Sequence, residues 1–188
     1  DVDFEMFGKD LIETNYEPLA KEKIIVTNKK ENLYFNNVAV SESGKYIAYT
    51  ENSFGKISIY LRDRDTGNKT RILQGGYQVE ADHVDHDLPL LDFAGDNTLG
   101  IIYFKKGFLY LVSYQIETGL LNEKPLTRFN QIKDFSLNQN GRLAIISGDT
   151  DGKSDLFLVS VLRNSVRRIT SDIFDDIDPT FIPGTAAI

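Results

Sequence analysis

The stretch SESGKYIAYT, residues 41–50, decides the fold of this chain. Its first half is polar and contains Gly44, and its second half is a run of aromatic, aliphatic and small residues. Glycine supplies the positive φ that tight turns need, and aromatic and β-branched residues favour strands. The stretch therefore predicts a tight turn that leads directly into a β-strand.

Further strands are predicted both before and after this turn. A short apolar run precedes the turn, and two more runs come after the turns at 52–56 and 63–67. The run between those two turns alternates with period two, which is typical of a half-buried strand. The prediction is a unit of four consecutive strands at Val38–Val40, Tyr46–Thr50, Ile57–Leu61 and Thr70–Leu73.

The same order of strands and turns recurs along the chain. Units lie at about 37–73, 87–127 and 132–170, and a fourth begins at Asp178. The first turns of successive units are 53, 44 and 43 residues apart. Four strands in about 40–50 residues predict the blades of a β-propeller. The predicted fold class is all-β, with three four-stranded antiparallel blades and the first strand of a fourth. A generic meander or sandwich is the alternative, but the turn types recur in register and favour the propeller.

The N-terminal region differs from the repeats. Apolar residues between Asp3 and Thr14 fall near helical spacing, which predicts a short amphipathic helix. We therefore divide the chain into a helical lead-in at 1–22 and a partial propeller at 23–188. The sequence opens on Asp1 and not on Met, so we expect a mature product or an excised piece of a longer protein.

Composition excludes several kinds of function. With 28 acidic and 21 basic residues the net charge is −7, so we expect no nucleic-acid partner. Cysteine is absent, which excludes disulfides, thiolate nucleophiles and cysteine-ligated metals. The chain contains neither a nucleophile elbow nor a phosphate-binding glycine loop. No apolar run is long enough to cross a bilayer, so we expect no membrane insertion. Because no catalytic or phosphate-binding motif is present, we expect neither catalysis nor a cofactor.

Several of these stretches resemble a known repeat family. Residues 41–49 resemble the Ser-Pro-Asp-Gly-Lys-x-Ile-Ala-Phe core of TolB-type, WD40-like (PD40) propeller repeats. Residues 153–157 resemble the third strand of that repeat, and residues 168–181 resemble its junction between blades. The openings at 7–11 and 15–19 are similar to the segment that precedes such propellers in large cell-envelope proteins of Bacteroidota-type bacteria. The repeats are degenerate, since the usual tryptophan and Pro-Asp pair are missing.

The resemblance carries expectations about size and location. A complete TolB-like propeller has six blades, and three blades in an open arc would leave edge strands uncovered. The resemblance therefore implies a fragment whose remaining blades come from the full-length chain or from another chain. It also implies a periplasmic or outer-membrane-associated protein.

Two loops are the candidate contact surfaces for a protein or peptide partner. They are the insertion at 75–87 and the loop at 174–178, because propellers bind through the loops that join their strands. The candidate partner-binding residues are Tyr77, Asp82, His83, Asp85, His86, Phe174, Asp175 and Asp176.

Two groups have metal-ligand residue types. His83 and His86 lie in an acidic stretch, but a solvated loop is the favoured interpretation. Asp149, Asp151 and Asp155 superficially resemble a calcium loop. Its flanks are strands and not helices, so a hairpin turn is favoured and no metal is predicted.

The predicted function is a non-catalytic propeller scaffold that binds a protein or peptide. The alternative is an accessory, substrate-gating propeller of a hydrolase whose catalytic domain lies outside this chain, because the repeats resemble propellers beside prolyl-oligopeptidase-like and metallopeptidase domains. Carbohydrate binding through an exposed tyrosine such as Tyr77 is a third possibility.

Overall fold

The computed structural model of this chain describes residues 33–76, 88–182, 185 and 187–188. The lead-in at 1–22, with its predicted helix, lies outside the described residues, as do residues 77–87. All regular elements in the described ranges are β-strands. This part of the chain accordingly holds no helix that could span a membrane.

The strands form three four-stranded antiparallel sheets, which we call blades 1, 2 and 3. Blade 1 contains β1 (Leu33–Val40), β2 (Tyr46–Ser53), β3 (Lys56–Asp63) and β4 (Lys69–Gly76). Blade 2 contains β5 (Leu90–Ala94), β6 (Thr98–Lys105), β7 (Phe108–Gln115) and β8 (Leu121–Pro125). Blade 3 contains β9 (Gln131–Leu137), β10 (Leu143–Asp149), β11 (Ser154–Ser160) and β12 (Val166–Arg168). The predicted all-β blade architecture is confirmed.

Several strand limits differ from the prediction. β1 begins at Leu33, because a bulge at Asn37 with φ 45° joins two apolar pieces into one strand. β8 starts at Leu121, before the predicted segment at 124–127. The sequence of β8 shows no alternation of apolar and polar residues, so the pattern did not reveal where this strand begins. β12 ends at Arg168. Beyond this residue the side-chain hydroxyl of Thr170, and not a backbone carbonyl, accepts the N–H of Leu156 at 2.9 Å.

The segment expected to begin a fourth blade has no strand partner. Among the described residues, none after Arg168 lies in a strand. A strand requires a neighbour for its hydrogen bonds, and no described segment pairs with residues 178–182. Pro179 and Phe181 in this segment are nevertheless buried.

The blades are arranged side by side through their first strands. β1 contacts β5, and β5 contacts β9, whereas the fourth strands are at the far edges of the sheets. Asn37 Nδ2 donates to the Pro89 carbonyl at 2.7 Å, and the Leu137 N–H donates to Asp92 Oδ2 at 2.6 Å. Inner first strands and outer fourth strands are the arrangement of a propeller.

Each blade interface holds one hydrophobic cluster. The face of blade 1 that meets blade 2 contributes Ala48, Ile59 and Leu61, and blade 2 contributes Leu99, Ile101 and Val112. The larger second cluster joins blades 2 and 3, and its members include Ile102, Leu111, Phe135, Leu137, Ala144, Ile146, Phe157 and Val159. Successive residues of β6 therefore serve opposite interfaces, as the period of a strand requires.

Gly100 of β6 lies at the second interface. A Cβ atom at this position would lie 2.7 Å from Leu137 Cδ1 and 3.1 Å from the Phe135 ring. Both neighbours are buried side chains of β9, so they have little room to move. The absence of a side chain at Gly100 lets blade 3 approach blade 2.

We expect Gly100→Ala to destabilise the chain by about 1–3 kcal/mol, because the added methyl group overpacks this interface. Gly75→Ala in β4 is the matched control, since nothing lies within 4 Å of its Cβ position. Urea unfolding followed by circular dichroism measures both variants. Equal stabilities would contradict the packing role of Gly100.

Candidate protein-binding surface

The turns of the blades lie at two opposite ends. The hairpin end, as we name it, carries the β2–β3 turn (54–55), the β6–β7 turn (106–107) and the β10–β11 turn (150–153). The connection from blade 2 to blade 3 also lies there, since the Leu126 N–H donates to the Leu109 carbonyl at 2.8 Å and the Asn130 N–H to the Asp149 carbonyl at 2.8 Å. The other turns form the opposite end.

Polar turns at the opposite end bind one another across blades. Asp96 Oδ1 of blade 2 accepts the N–H of Ser43 at 3.0 Å and its hydroxyl at 2.8 Å. These hydrogen bonds, led by the Ser43 N–H, hold the pKa of Asp96 below its usual value. The turn of blade 3 is packed against blade 2, because a Cβ at Gly141 would lie 3.2 Å from the Thr98 hydroxyl. These groups serve the fold.

The hairpin end presents aromatic and cationic side chains to solvent. Phe54 in the β2–β3 turn is 83% exposed, and Phe104 and Phe108 beside the β6–β7 turn are also exposed. Lys56 and Lys106 are close to these phenylalanines in sequence and are exposed too. Within the described ranges neither lysine has a carboxylate partner. None of these residues was among the predicted site residues, although aromatic and cationic residues in short turns are a signal visible in the sequence.

The first predicted contact loop cannot be compared with the structure. Tyr77, Asp82, His83, Asp85 and His86 all lie outside the described residues. The preceding strand β4 ends at Gly76, which pairs with Lys56. The chain thus leaves blade 1 at the hairpin end.

The second predicted loop is part of a segment that we call the strap, residues 171–178. Phe174 is 69% exposed, and Ile173 and Ile177 are exposed beside it. Asp175 Oδ1 accepts the Ser154 N–H at 2.9 Å, and its Oδ2 accepts Lys133 Nζ at 3.2 Å. The first of these bonds is the main cause that lowers the pKa of Asp175. The strap therefore binds blade 3 through Asp175 and presents its apolar side chains to solvent.

The backbone of Asp176 also fixes the strap. Its N–H donates to the Ser154 carbonyl at 2.8 Å, and its carbonyl accepts the hydroxyl of Ser147 at 2.5 Å. Ser147 is fully buried, so this bond anchors the strap against the face of blade 3 that turns away from blade 2. Among the three candidate residues of this loop, Phe174 has the most exposed side chain, and both aspartates contribute to structure.

The carboxylates considered for calcium have separate partners. Asp149 Oδ1 accepts the N–H of Gly152 at 2.5 Å, as in a hairpin turn. Asp151 Oδ2 lies 3.7 Å from the Arg168 guanidinium, and the buried Asp155 forms an ion pair with the same arginine. No group of three or more metal-ligating side chains is assembled anywhere in the described ranges. The structure places a hairpin at this position, and His83 and His86 lie outside the described residues.

A tyrosine–lysine–glutamate cluster covers the side of blade 2 that faces blade 1. The Tyr103 hydroxyl donates to Glu123 Oε1 at 2.6 Å, and Lys105 Nζ lies 2.7 Å from Glu123 Oε2. Burial and the Glu123 carboxylate raise the pKa of Tyr103 to about 12. Blade 1 repeats the arrangement with Tyr49, Tyr60, Lys69 and Glu51. The cluster thus recurs in blades 1 and 2, and no sequence motif predicted it.

Two carboxylates lie on the inner strands. Burial raises the pKa of Asp92 on β5 and of Asp134 on β9. The negative charge of Asp178 raises the pKa of Asp134 further, and that of Asp134 acts on Asp92 in the same way. These side chains are destabilised in their charged form, because they lose solvation and repel one another.

The pH dependence of stability tests this electrostatic arrangement. The pKa of Asp134 is higher in the folded chain than its ordinary value of 3.8, so its contribution to stability is present below that pH and falls as the pH rises through the folded pKa. We expect Asp134→Asn to stabilise the fold more at about pH 7 than at about pH 4. Thermal unfolding at both pH values measures this difference.

The control for this experiment is Asp65→Asn at an exposed turn of blade 1. We expect a change under about 0.5 kcal/mol at either pH. An Asp134→Asn gain that does not depend on pH would show that repulsion and burial of this carboxylate are unimportant.

We also expect Asp175→Ala to release the strap. The substitution removes the acceptor of the Ser154 N–H and the partner of Lys133. Amide hydrogen exchange should rise in residues 171–178 and at Ser154, and stay unchanged in β9, β10 and the rest of β11. Asp175→Asn keeps an acceptor oxygen without the charge, so its exchange should be intermediate. Unchanged exchange in Asp175→Ala would refute the anchoring role.

Comparison with known proteins supports the architecture. No family model matches this chain, and no curated protein matches it. TolB from Acinetobacter baumannii is similar at a TM-score of 0.61 and 18% identity, over 81% of this chain and 35% of that one. A putative TolB from Agrobacterium tumefaciens is similar at 0.59 and 17%, over 80% of this chain and 50% of that one.

A third similar structure comes from a protease. The β-propeller domain of the Trilobed protease from Pyrococcus furiosus has a TM-score of 0.56 and 13% identity, over 77% of this chain and 44% of that one. The chain thus spans from about a third to a half of these structures. Identities this low establish the fold alone. The described blades have the fold of a TolB-like β-propeller.

Proposed function

We propose that this chain is a non-catalytic β-propeller scaffold that binds a protein or peptide partner at its hairpin end. One observation carries the proposal: the two ends of the blades differ in chemistry. Side chains at the opposite end bond neighbouring turns, as Ser43 and Asp96 do. Aromatic side chains at the hairpin end, Phe54 above all, are exposed and have no role in the core. Exposed aromatic residues are the groups that contribute most to protein interfaces.

The scaffold is part of a larger propeller in this proposal. Val38 of β1 is 69% exposed. It pairs with Tyr49, whose neighbour Ala48 points to the interface with blade 2. Because successive residues of a strand point to opposite faces, Val38 lies on the side of blade 1 that turns away from blade 2. Blade 2, in contrast, is covered on both faces. We propose that further blades, from the full-length chain or from another chain, cover the open face of blade 1 and continue the propeller beyond blade 3.

The cell envelope of a bacterium is the proposed location. The support is the similarity of the fold to two TolB structures and the resemblance of residues 41–49 to PD40 repeats. A periplasmic or outer-membrane-associated propeller of the Bacteroidota type is consistent with both.

An accessory propeller of a hydrolase is the second candidate. The likeness to the propeller domain of the Trilobed protease favours it. In that case the longer protein would cleave peptides and the 188-residue chain alone would not. Peptidase assays on both proteins separate the candidates, since a scaffold without an attached enzyme leaves both inactive.

Chemical cross-linking tests the binding proposal. The chain is immobilised, incubated with envelope extract from its source bacterium, treated with a lysine-reactive cross-linker and analysed by mass spectrometry. We expect partner cross-links at Lys56 and Lys106 of the hairpin end, and none at the control Lys45 of the opposite end. Cross-links confined to Lys45, or no captured protein, would contradict the proposal.

A further inference from the structure

The turn between β2 and β3 contains an unfavourable residue. Phe54 has φ 51° and Gly55 has φ 79°, so both central residues of this two-residue turn are in the left-handed region, as in a type I′ turn. Asn, Asp and Gly are preferred at such positions, and other side chains are unfavourable there. Because the ring of Phe54 is almost fully exposed, core packing does not offset this cost. A strained residue with no structural benefit points to a function.

Blade 2 repeats this arrangement with the residue types exchanged. Lys106 occupies the position of Phe54, with φ 51°, and Gly107 follows it with φ 84°. The exposed ring of Phe108 stands directly beside this turn, where Phe108 pairs with Lys105. The hairpin ends of blades 1 and 2 therefore each combine an exposed phenylalanine with an exposed lysine.

In blade 3 an acidic segment of the chain lies at the hairpin end. Its hairpin carries the exposed Lys153 and no phenylalanine. The strap, whose sequence SDIFDDID alternates acidic and apolar groups, binds across this hairpin through Asp175. The charge of Lys153 contributes to the lowered pKa of Asp175. In blade 3 an acidic segment of the chain thus meets the cationic end through Asp175, while its apolar side chains remain exposed.

We propose that Phe54, Lys56, Lys106 and Phe108 form a docking surface for an acidic segment of a partner protein that carries aliphatic or aromatic side chains. The inference rests on the proposed function, since it specifies the partner of the same hairpin end. Carboxylates of the segment pair with the two lysines and give orientation and register. Apolar side chains of the segment bury the two rings and supply most of the affinity.

A phospholipid surface fits these observations less well. Juxtamembrane segments that bind anionic lipids have about four to eight clustered cations, whereas this surface has two lysines without carboxylate partners in the described part of the chain. The net charge of −7 also opposes the approach of an extended anionic surface. A short acidic segment contacts only the positive charges of Lys56 and Lys106, so the net charge of the chain opposes its approach less.

The probe for this surface is a synthetic peptide with the sequence of residues 171–182, SDIFDDIDPTFI, labelled for fluorescence anisotropy. We expect it to bind the 188-residue chain and to bind less tightly as salt is added. A control peptide with serine in place of each isoleucine and phenylalanine should lose binding, and so should one with asparagine in place of each aspartate.

Substitutions locate the contact. Phe54→Asn should weaken binding by about tenfold or more, the effect of losing a buried aromatic anchor. The same substitution should raise the melting temperature, because asparagine suits the type I′ turn. A purely structural role of Phe54 would not give these opposite shifts. The double variant Lys56→Gln, Lys106→Gln should weaken binding and reduce its salt dependence, and Leu120→Asn at the opposite end should change neither.

Three outcomes would overturn the inference. The first is equal binding by the wild type and by Phe54→Asn, which places the peptide elsewhere. The second is no binding of the peptide in a chain that still forms the expected cross-links at Lys56 and Lys106. That result leaves the proposed function intact and refutes the acidic partner. The third is Phe54-dependent sedimentation with phosphatidylglycerol vesicles, which identifies a lipid surface.

Discussion

The packing of one blade face against the next is the interaction on which this structure depends. A single four-stranded sheet with apolar residues on both faces is not stable in water, and neighbouring blades supply the cover. β6 shows this most clearly, because Ile101 is buried toward blade 1 and Ile102 toward blade 3, each at 0% exposure. Gly100, which precedes them, has no side chain that would keep β9 at a distance. Each blade is therefore stable only as part of a stack.

This constraint determines which residues are free for function. Both faces of blade 2 are occupied, so the ends of its strands and its outer edge remain available to a partner. Hydrogen bonds such as that from Ser43 to Asp96 occupy the opposite end, where they fix neighbouring blades relative to one another. The hairpin end has no comparable network between its first two turns in the described part of the chain. Its side chains can therefore vary without loss of the fold.

The sequence predicted the regular part of this arrangement well and the irregular part poorly. The turn and strand of SESGKYIAYT lie where the pattern places them, because glycine and apolar alternation act locally. The bulge at Asn37 and the start of β8 at Leu121 depend on how each strand pairs with its neighbour, which periodicity does not report. Phe54 was predicted to lie in the turn at 52–56, but a turn pattern does not report how much of a side chain is exposed.

The two kinds of exposed apolar surface in this chain differ in chemistry, and the difference separates assembly from recognition. Val38 and Val40 lie on a flat strand and alternate with interior residues, so they suit the face of another sheet. Phe54 lies at the tip of a turn, where no stacked blade can reach it, and Lys56 beside it would be costly to bury without a carboxylate. Further blades can cover the valines and leave the rings of the hairpin end free. Completion of the propeller and binding of a partner are therefore compatible in one molecule.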